Sequence, residues 1–194
     1  MADWDANSPR LRQNLINFLR DARDRALHRD RLTVEDARRW QRDSMAGLDV
    51  PDEKYRGRFR GETGLERTHV WIGGREGVAP ADVADALAAL ERTLQRAVSV
   101  LDARYPLGQE LDADGLAAVI DLSAWTHAEW IRIHPFANGN GRIARILANA
   151  LLMRYGLPPA VRLRPRPDGG YGLASAAAMD GDWRPTASVF RRML

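Results

Sequence analysis

Ile133-His134-Pro135-Phe136-Ala137-Asn138-Gly139-Asn140-Gly141-Arg142-Ile143-Ala144-Arg145 decides the reading of this chain. A titratable imidazole stands eight residues ahead of a guanidinium, with two asparagines and two glycines between them. Glycines let the backbone turn tightly and bring its N–H groups close to an anion. The helix that opens next adds unpaired N–H donors and the positive end of a dipole. Arg142 and Arg145 lie one turn apart on it, so both can lean toward one polyphosphate. A base beside a phosphate cradle is the minimum needed to move a phosphate-bearing group onto a hydroxyl.

Working outward, the flanks are two apolar helices. Asp112-Ala113-Asp114-Gly115 opens the first, with Leu116, Val119, Ile120, Ser123, His127, Trp130 and Ile131 on one face. It stops near Ile133, because Pro135 disfavours helical backbone at the residue before it. Ile143, Ile146, Leu147, Ala150 and Leu151 mark the second. A loop clamped between two core helices holds a catalytic geometry well.

The rest of the pattern is helical too. Leu11, Leu15, Phe18, Leu19, Ala22 and Ala26 define an amphipathic first helix. Thr33 and Asp36 form a capping pair for a second, running through Met45. Pro80 and Asp82 start a long helix with core positions Val83, Leu87, Leu90, Leu94, Ala97 and Leu101. Residues 55–78 break the rhythm. Thr68-His69-Val70-Trp71-Ile72 alternates and is closed by Gly73-Gly74, which predicts a small β-hairpin or extended flap. After the turn signal Asp168-Gly169-Gly170, stretches 171–179 and 186–194 read as two helices. The fold class expected is mainly α.

The whole chain narrows the options. Its 194 residues suit one domain, divided here into an N-terminal helix over 1–32 and a main unit over 33–194. There are no cysteines, hence no disulfide or thiolate metal site, and a reducing cytoplasm is the natural location. Met1 to Arg12 lacks a signal-type apolar stretch, and no run is long enough to span a bilayer. Net charge is +3, but Lys54 is the only lysine and the arginines are interspersed with acids, so nucleic acid is not the expected partner.

His-Pro-Phe-x-x-Gly-Asn-Gly-Arg-x-x-Arg, at His134 to Arg145, resembles the signature of Fic (Fido) domain proteins, most of which transfer AMP from ATP onto protein hydroxyls. The resemblance runs from about Thr33 to the C-terminus, where Tyr171, Gly181-Asp182 and Pro185 continue it, and is strongest over 127–145. It implies a Fic-fold helical bundle with a β-hairpin flap at about 55–78. It also implies His134 as general base, and Asn138, Gly139, Asn140, Gly141, Arg142 and Arg145 around the nucleotide. Thr68, His69, Val70, Trp71 and Ile72 would then grip a target peptide by adding a strand. The implied ligands are ATP as substrate and Mg²⁺ or Mn²⁺; the implied partner is a protein with a Ser, Thr or Tyr hydroxyl.

One residue departs from the pattern. The family usually has Asp or Glu where this chain has Asn138, and that carboxylate holds the magnesium. Asn138 is then a weak metal ligand at best, since Mg²⁺ normally sits on a carboxylate plus substrate phosphates. Three outcomes stand open: a metal held mostly by the nucleotide, charge from another carboxylate, or a different phosphate donor with no metal. A nucleotide-binding module of low activity and a transferase of another group are the alternatives to AMP transfer. No glutamate has Ser or Thr four residues before it, so the Ser/Thr-x-x-x-Glu inhibitory helix of many relatives is not expected. Restraint would then come from a separate protein, as in toxin–antitoxin pairs, or from Asn138 itself.

Among single residues, Phe136 reads as the anchor of the loop and Asn140 alternatively as an ordinary N-cap. His127, on the apolar stripe, reads as a core histidine, and His28 and His69 as surface residues. A positive neighbourhood from the helix start, Arg142 and Arg145 is expected to keep the His134 imidazole neutral.

Overall fold

The computed structural model describes residues 8–194, so the first seven residues of the expected 1–32 element lie outside the described residues. Among the described residues the chain forms α1 (Pro9–Leu27), α2 (Val34–Ser44), α3 (Val83–Arg104), α4 (Ala113–Ile133), α5 (Asn140–Arg154), α6 (Tyr171–Met179) and α7 (Arg184–Arg191). The only ladder among them is antiparallel, β1 (Trp71–Ile72) against β2 (Arg75–Glu76). The mainly α architecture with a hairpin flap follows the sequence pattern.

Local chemistry starts these helices. Ser8 Oγ accepts from Leu11 N–H at 3.1 Å, with Pro9 as the first helical residue of α1. Thr33 Oγ1 accepts from Asp36 N–H while Asp36 Oδ2 accepts from Thr33 N–H, a reciprocal cap on α2. Asp112 Oδ1 accepts from Gly115 N–H at 2.7 Å and opens α4. Each such cap is worth about 1 kcal/mol.

Packing then orders them around α4 and α5, whose apolar faces meet through Ile131, Ile133, Ile143 and Leu147. α3, α6 and α7 lie against α4, and α1 and α2 against α5. Leu11, Leu15 and Phe18 of α1 are buried in the same core as Ile143 and Ile146. Two expected core positions differ. Leu116 keeps 38% of its surface exposed, because in the first turn of α4 it faces the 107–111 loop instead of a helix. Val98, with Ala97 only partly covered, fills the α3 seam: a straight helix drifts away from a strict seven-residue repeat.

The flap is shorter as a strand than the alternation suggested. Only Trp71 and Ile72 of the run 68–72 pair in the ladder, although Gly77 N–H still donates to Val70 O at 3.1 Å. What holds the flap is a side chain. Arg60, 1% exposed, donates from Nε to His134 O (2.8 Å), from Nη1 to Thr68 O (3.2 Å), and from Nη2 to Val78 O (2.7 Å) and Ile133 O (2.9 Å). Its own N–H donates to Pro135 O at 2.7 Å. One guanidinium thus ties both ends of the flap to the C-terminus of α4, where a cation also meets the negative end of the helix dipole.

Removing that guanidinium leaves four carbonyls without their charged donor. Hydrogen bonds to charged groups contribute about 1.5–3 kcal/mol each, offset by the cost of burying the charge. Arg60→Met is expected to lower unfolding stability by about 3 kcal/mol in urea and to speed amide exchange at Val70 and Gly77. A loss below about 1 kcal/mol, with flap exchange unchanged, would contradict this assignment.

Candidate active site

The site is built where α4 stops. His134 caps that helix with φ 52° and ψ 56°, a left-handed conformation in which histidine is among the better-tolerated residues. Its N–H still donates to Trp130 O at 2.9 Å, so the turn closes without an orphaned donor. The ring Nδ1 lies 3.0 Å from Ile131 O. A carbonyl oxygen only accepts, so the proton sits on Nδ1 and Nε2 keeps its lone pair. Burial pushes the His134 pKa down to about 4; the Ile131 hydrogen bond opposes this and the Arg60 charge adds to it. Neutrality was expected, but its cause differs. Desolvation and Arg60 keep the ring neutral, where the sequence reading invoked Arg142, Arg145 and the following helix.

The loop between α4 and α5 is closed on itself. Asn140, 1% exposed, accepts from Phe136 N–H at 2.9 Å and donates to Phe136 O at 2.7 Å. Its side chain is therefore a staple and not the N-cap; Gly139, with φ 89°, occupies the N-cap position. What Asn140 and Gly141 offer an anion is backbone N–H at the start of α5. Phe136 is fully buried, 4.8 Å from the Phe59 ring and 5.9 Å from that of Trp130. Gln41 of α2, absent from the sequence reading, donates to Asn138 O at 3.2 Å and accepts from Gly57 N–H, coupling α2, loop and flap.

Around this loop opens a cleft of about 390 Å³, lined by His134, residues 137–141 and four arginines: Arg142, Arg145, Arg164 and Arg166. Arg142 donates from Nη2 to Asn138 Oδ1 at 3.2 Å. Arg145 sits beneath, donating to Tyr171 Oη (3.2 Å) and Leu163 O (3.0 Å). Tyr171 Oη lies 2.6 Å from His127 Nε2, and burial lowers the His127 pKa to about 3, so His127 is a neutral core residue, as expected. Arg164 and Arg166 went unnoticed in the sequence, since nothing in the run 161–166 signals a return to the motif loop.

The predicted flap residues Thr68 to Ile72 are not among the residues that line the cleft. His69 pairs with Glu76, Trp71 is 65% exposed, and Arg75 Nε meets Asp180 Oδ1 at 2.8 Å. The flap still presses on the site. A Cβ at Gly77 would stand 2.9 Å from His134 Cβ, so only glycine lets the backbone run this close.

For a divalent cation the lining offers two side-chain amide oxygens, Asn138 Oδ1 and Asn140 Oδ1, already accepting from Arg142 and from Phe136 N–H, and among the described residues no carboxylate. Among the described residues no cluster of three or more His, Cys, Asp or Glu is suited to a metal. This donor set does not fit a hard ion that wants carboxylate oxygens.

The histidines also set an acid limit on stability. Both His134 and His127 have folded pKa values well below the ordinary 6.5. Between those values the unfolded chain binds more protons than the folded one, so stability is complete above about pH 6.5 and is lost as pH falls toward 4. Thermal unfolding is expected to show Tm dropping from about pH 6.5 to 5, ahead of carboxylate titration; a level Tm across that window would contradict the burial of neutral imidazoles.

Comparison with known proteins agrees with this geometry. A model of the Fic/DOC family matches residues 31–152. A protein adenylyltransferase Fic from Culex quinquefasciatus is 31% identical over 121 residues, 62% of this chain and 21% of that protein. Its namesake from Nematostella vectensis is 46% identical over 67 residues, 34% of this chain and 15% of the relative. The chain thus spans about a fifth or less of the length of these relatives. The crystal structure of a Fic-domain-containing signaling protein from Bacteroides thetaiotaomicron superposes with a TM-score of 0.63 at 20% identity, covering 93% of this chain and 68% of the other. With the family signature closing the loop that joins α4 to α5, this chain belongs to the Fic/DOC family.

Proposed function

We propose that this protein transfers AMP from ATP to a Ser, Thr or Tyr hydroxyl of a target protein. The observation that carries the reading is the fixed tautomer of His134 at an arginine-lined cleft: Nδ1 is committed to Ile131 O, and Nε2 is left as the acceptor. The adenylyltransferase names of its relatives support the same chemistry.

In this reading the triphosphate lies along Gly139–Arg142, with its charge over the first N–H groups of α5 and the guanidiniums. Nε2 takes the hydroxyl proton as the oxygen attacks the α-phosphorus. The bond from the α-phosphorus to the bridging oxygen breaks, and its electron pair leaves on pyrophosphate, which the arginines stabilise. A pKa near 4 keeps His134 unprotonated at neutral pH. That low basicity makes it a modest base in bulk terms, so positioning and charge stabilisation carry most of the rate.

The flap supplies the target site. β1 offers an open edge beside the exposed Trp71, and an extended peptide adding to such an edge gains main-chain hydrogen bonds. The arms of the hairpin are tied to His134 by the Arg60 hydrogen bonds and by the close approach of Gly77.

Two substitutions separate base from cradle. His134→Ala is expected to abolish transfer of labelled AMP to a lysate or to the protein itself, with ATP affinity within a few-fold of the parent. Undiminished transfer removes His134 from the mechanism. Arg142→Ala is expected to weaken triphosphate binding by about 1.5–3 kcal/mol and AMP binding much less, by calorimetry. Equal losses would place Arg142 away from the distal phosphates.

A further inference from the structure

Among the described residues the cleft carries four arginines and no acid, and two of the four come from outside the motif. Arg164 and Arg166 belong to the segment that follows α5. Asn149, 1% exposed, pins that segment at Val161 from both sides: Nδ2 donates to Val161 O at 2.7 Å and Oδ1 accepts from Val161 N–H at 2.9 Å. Arg145 Nη2 then takes Leu163 O, the residue just before Arg164. Beyond it, the Arg166 guanidinium lies 5.4 Å from the Tyr171 ring centre, and the same tyrosine's hydroxyl accepts from Arg145. Buried anchors therefore aim these two cations at the motif loop.

Charge bookkeeping gives the arrangement a meaning. A nucleoside triphosphate without metal carries about four negative charges at neutral pH, the last from a terminal group titrating near pH 6. A protein-held divalent cation would need a carboxylate, and position 138 supplies an amide that binds Arg142 instead. Guanidiniums match phosphate oxygens two at a time and are always charged. We infer that Arg164 and Arg166 complete a four-guanidinium clamp that takes the donor as a metal-free nucleoside triphosphate. The clamp does for the leaving pyrophosphate what a bound cation does at carboxylate-bearing sites. This rests on the nucleotide reading of the cleft and goes beyond it.

The test is calorimetric titration of the full chain with ATP and with AMP, once in EDTA and once in excess Mg²⁺, alongside labelled-AMP transfer under both conditions. The clamp predicts ATP binding in EDTA at least as tight as in Mg²⁺. It predicts that Arg164→Gln/Arg166→Gln loses tenfold or more of metal-free ATP affinity and less than threefold for AMP. Asn138→Asp, placing a carboxylate beside Arg142, should weaken metal-free ATP binding and make Mg²⁺ stimulate it. ATP binding that requires Mg²⁺ in the parent, or a double variant within threefold of it in EDTA, overturns the inference. The two readings fail separately: tight metal-free binding without transfer sinks AMP transfer and keeps the clamp, whereas transfer strictly dependent on Mg²⁺ sinks the clamp and keeps AMP transfer.

Discussion

A single buried guanidinium joins the end of α4, the His134 main chain and both ends of the hairpin. Arg60 gathers carbonyls from Ile133 and His134 at the end of α4 and from Thr68 and Val78 on either side of the hairpin. Burial holds its pKa below the ordinary arginine value without neutralising it. A fixed positive charge there satisfies the last carbonyls of a core helix, locks the His134 main chain and fixes where the flap leaves the body. The hairpin edge and the His134 ring therefore share one mount, and under the proposed function loosening it would misplace both.

The site combines two demands that oppose each other in water. Phosphate binding calls for a concentration of positive charge, while a general base must stay able to accept a proton. Here the cations line the cleft through Arg142, Arg145, Arg164 and Arg166, and His134 is neutral chiefly because it is buried, with Arg60 adding to the effect. Buried Tyr171 shows the same economy behind Arg145, accepting from that guanidinium while facing the neutral His127. Under the proposed function, these placements make charge stabilisation, and not base strength, the larger contributor to the chemistry.

Much of this was legible in the chain because it is written locally. Helical period, the Thr33–Asp36 cap and the stop before Pro135 are interactions over three or four residues, and the structure carries all of them. The motif residues are brought to one loop by adjacency alone. What escaped is long-range. Arg60 meets His134 across 74 positions and Gln41 meets Asn138 across 97, and no spacing rule marks an arginine or a glutamine for such a partner. The N-cap alternative for Asn140 fails because its side chain closes a ring with the Phe136 main chain, a bond that spacing does not distinguish from a helix cap. Arg164 and Arg166 sit in an irregular segment whose course is set by Asn149 and Arg145, so their address is a tertiary fact.

The central claim is that His134 is held neutral, with its proton on Nδ1, at the mouth of a cationic cleft. Nitrogen-15 NMR of the histidine rings across a pH titration measures this directly. The account predicts a His134 resonance pair in the Nδ1-protonated neutral form at pH 7, titrating near pH 4 with the fold still intact at the start of the transition. A ring that titrates at 6.5 or above, or that carries its proton on Nε2 at neutral pH, would contradict it.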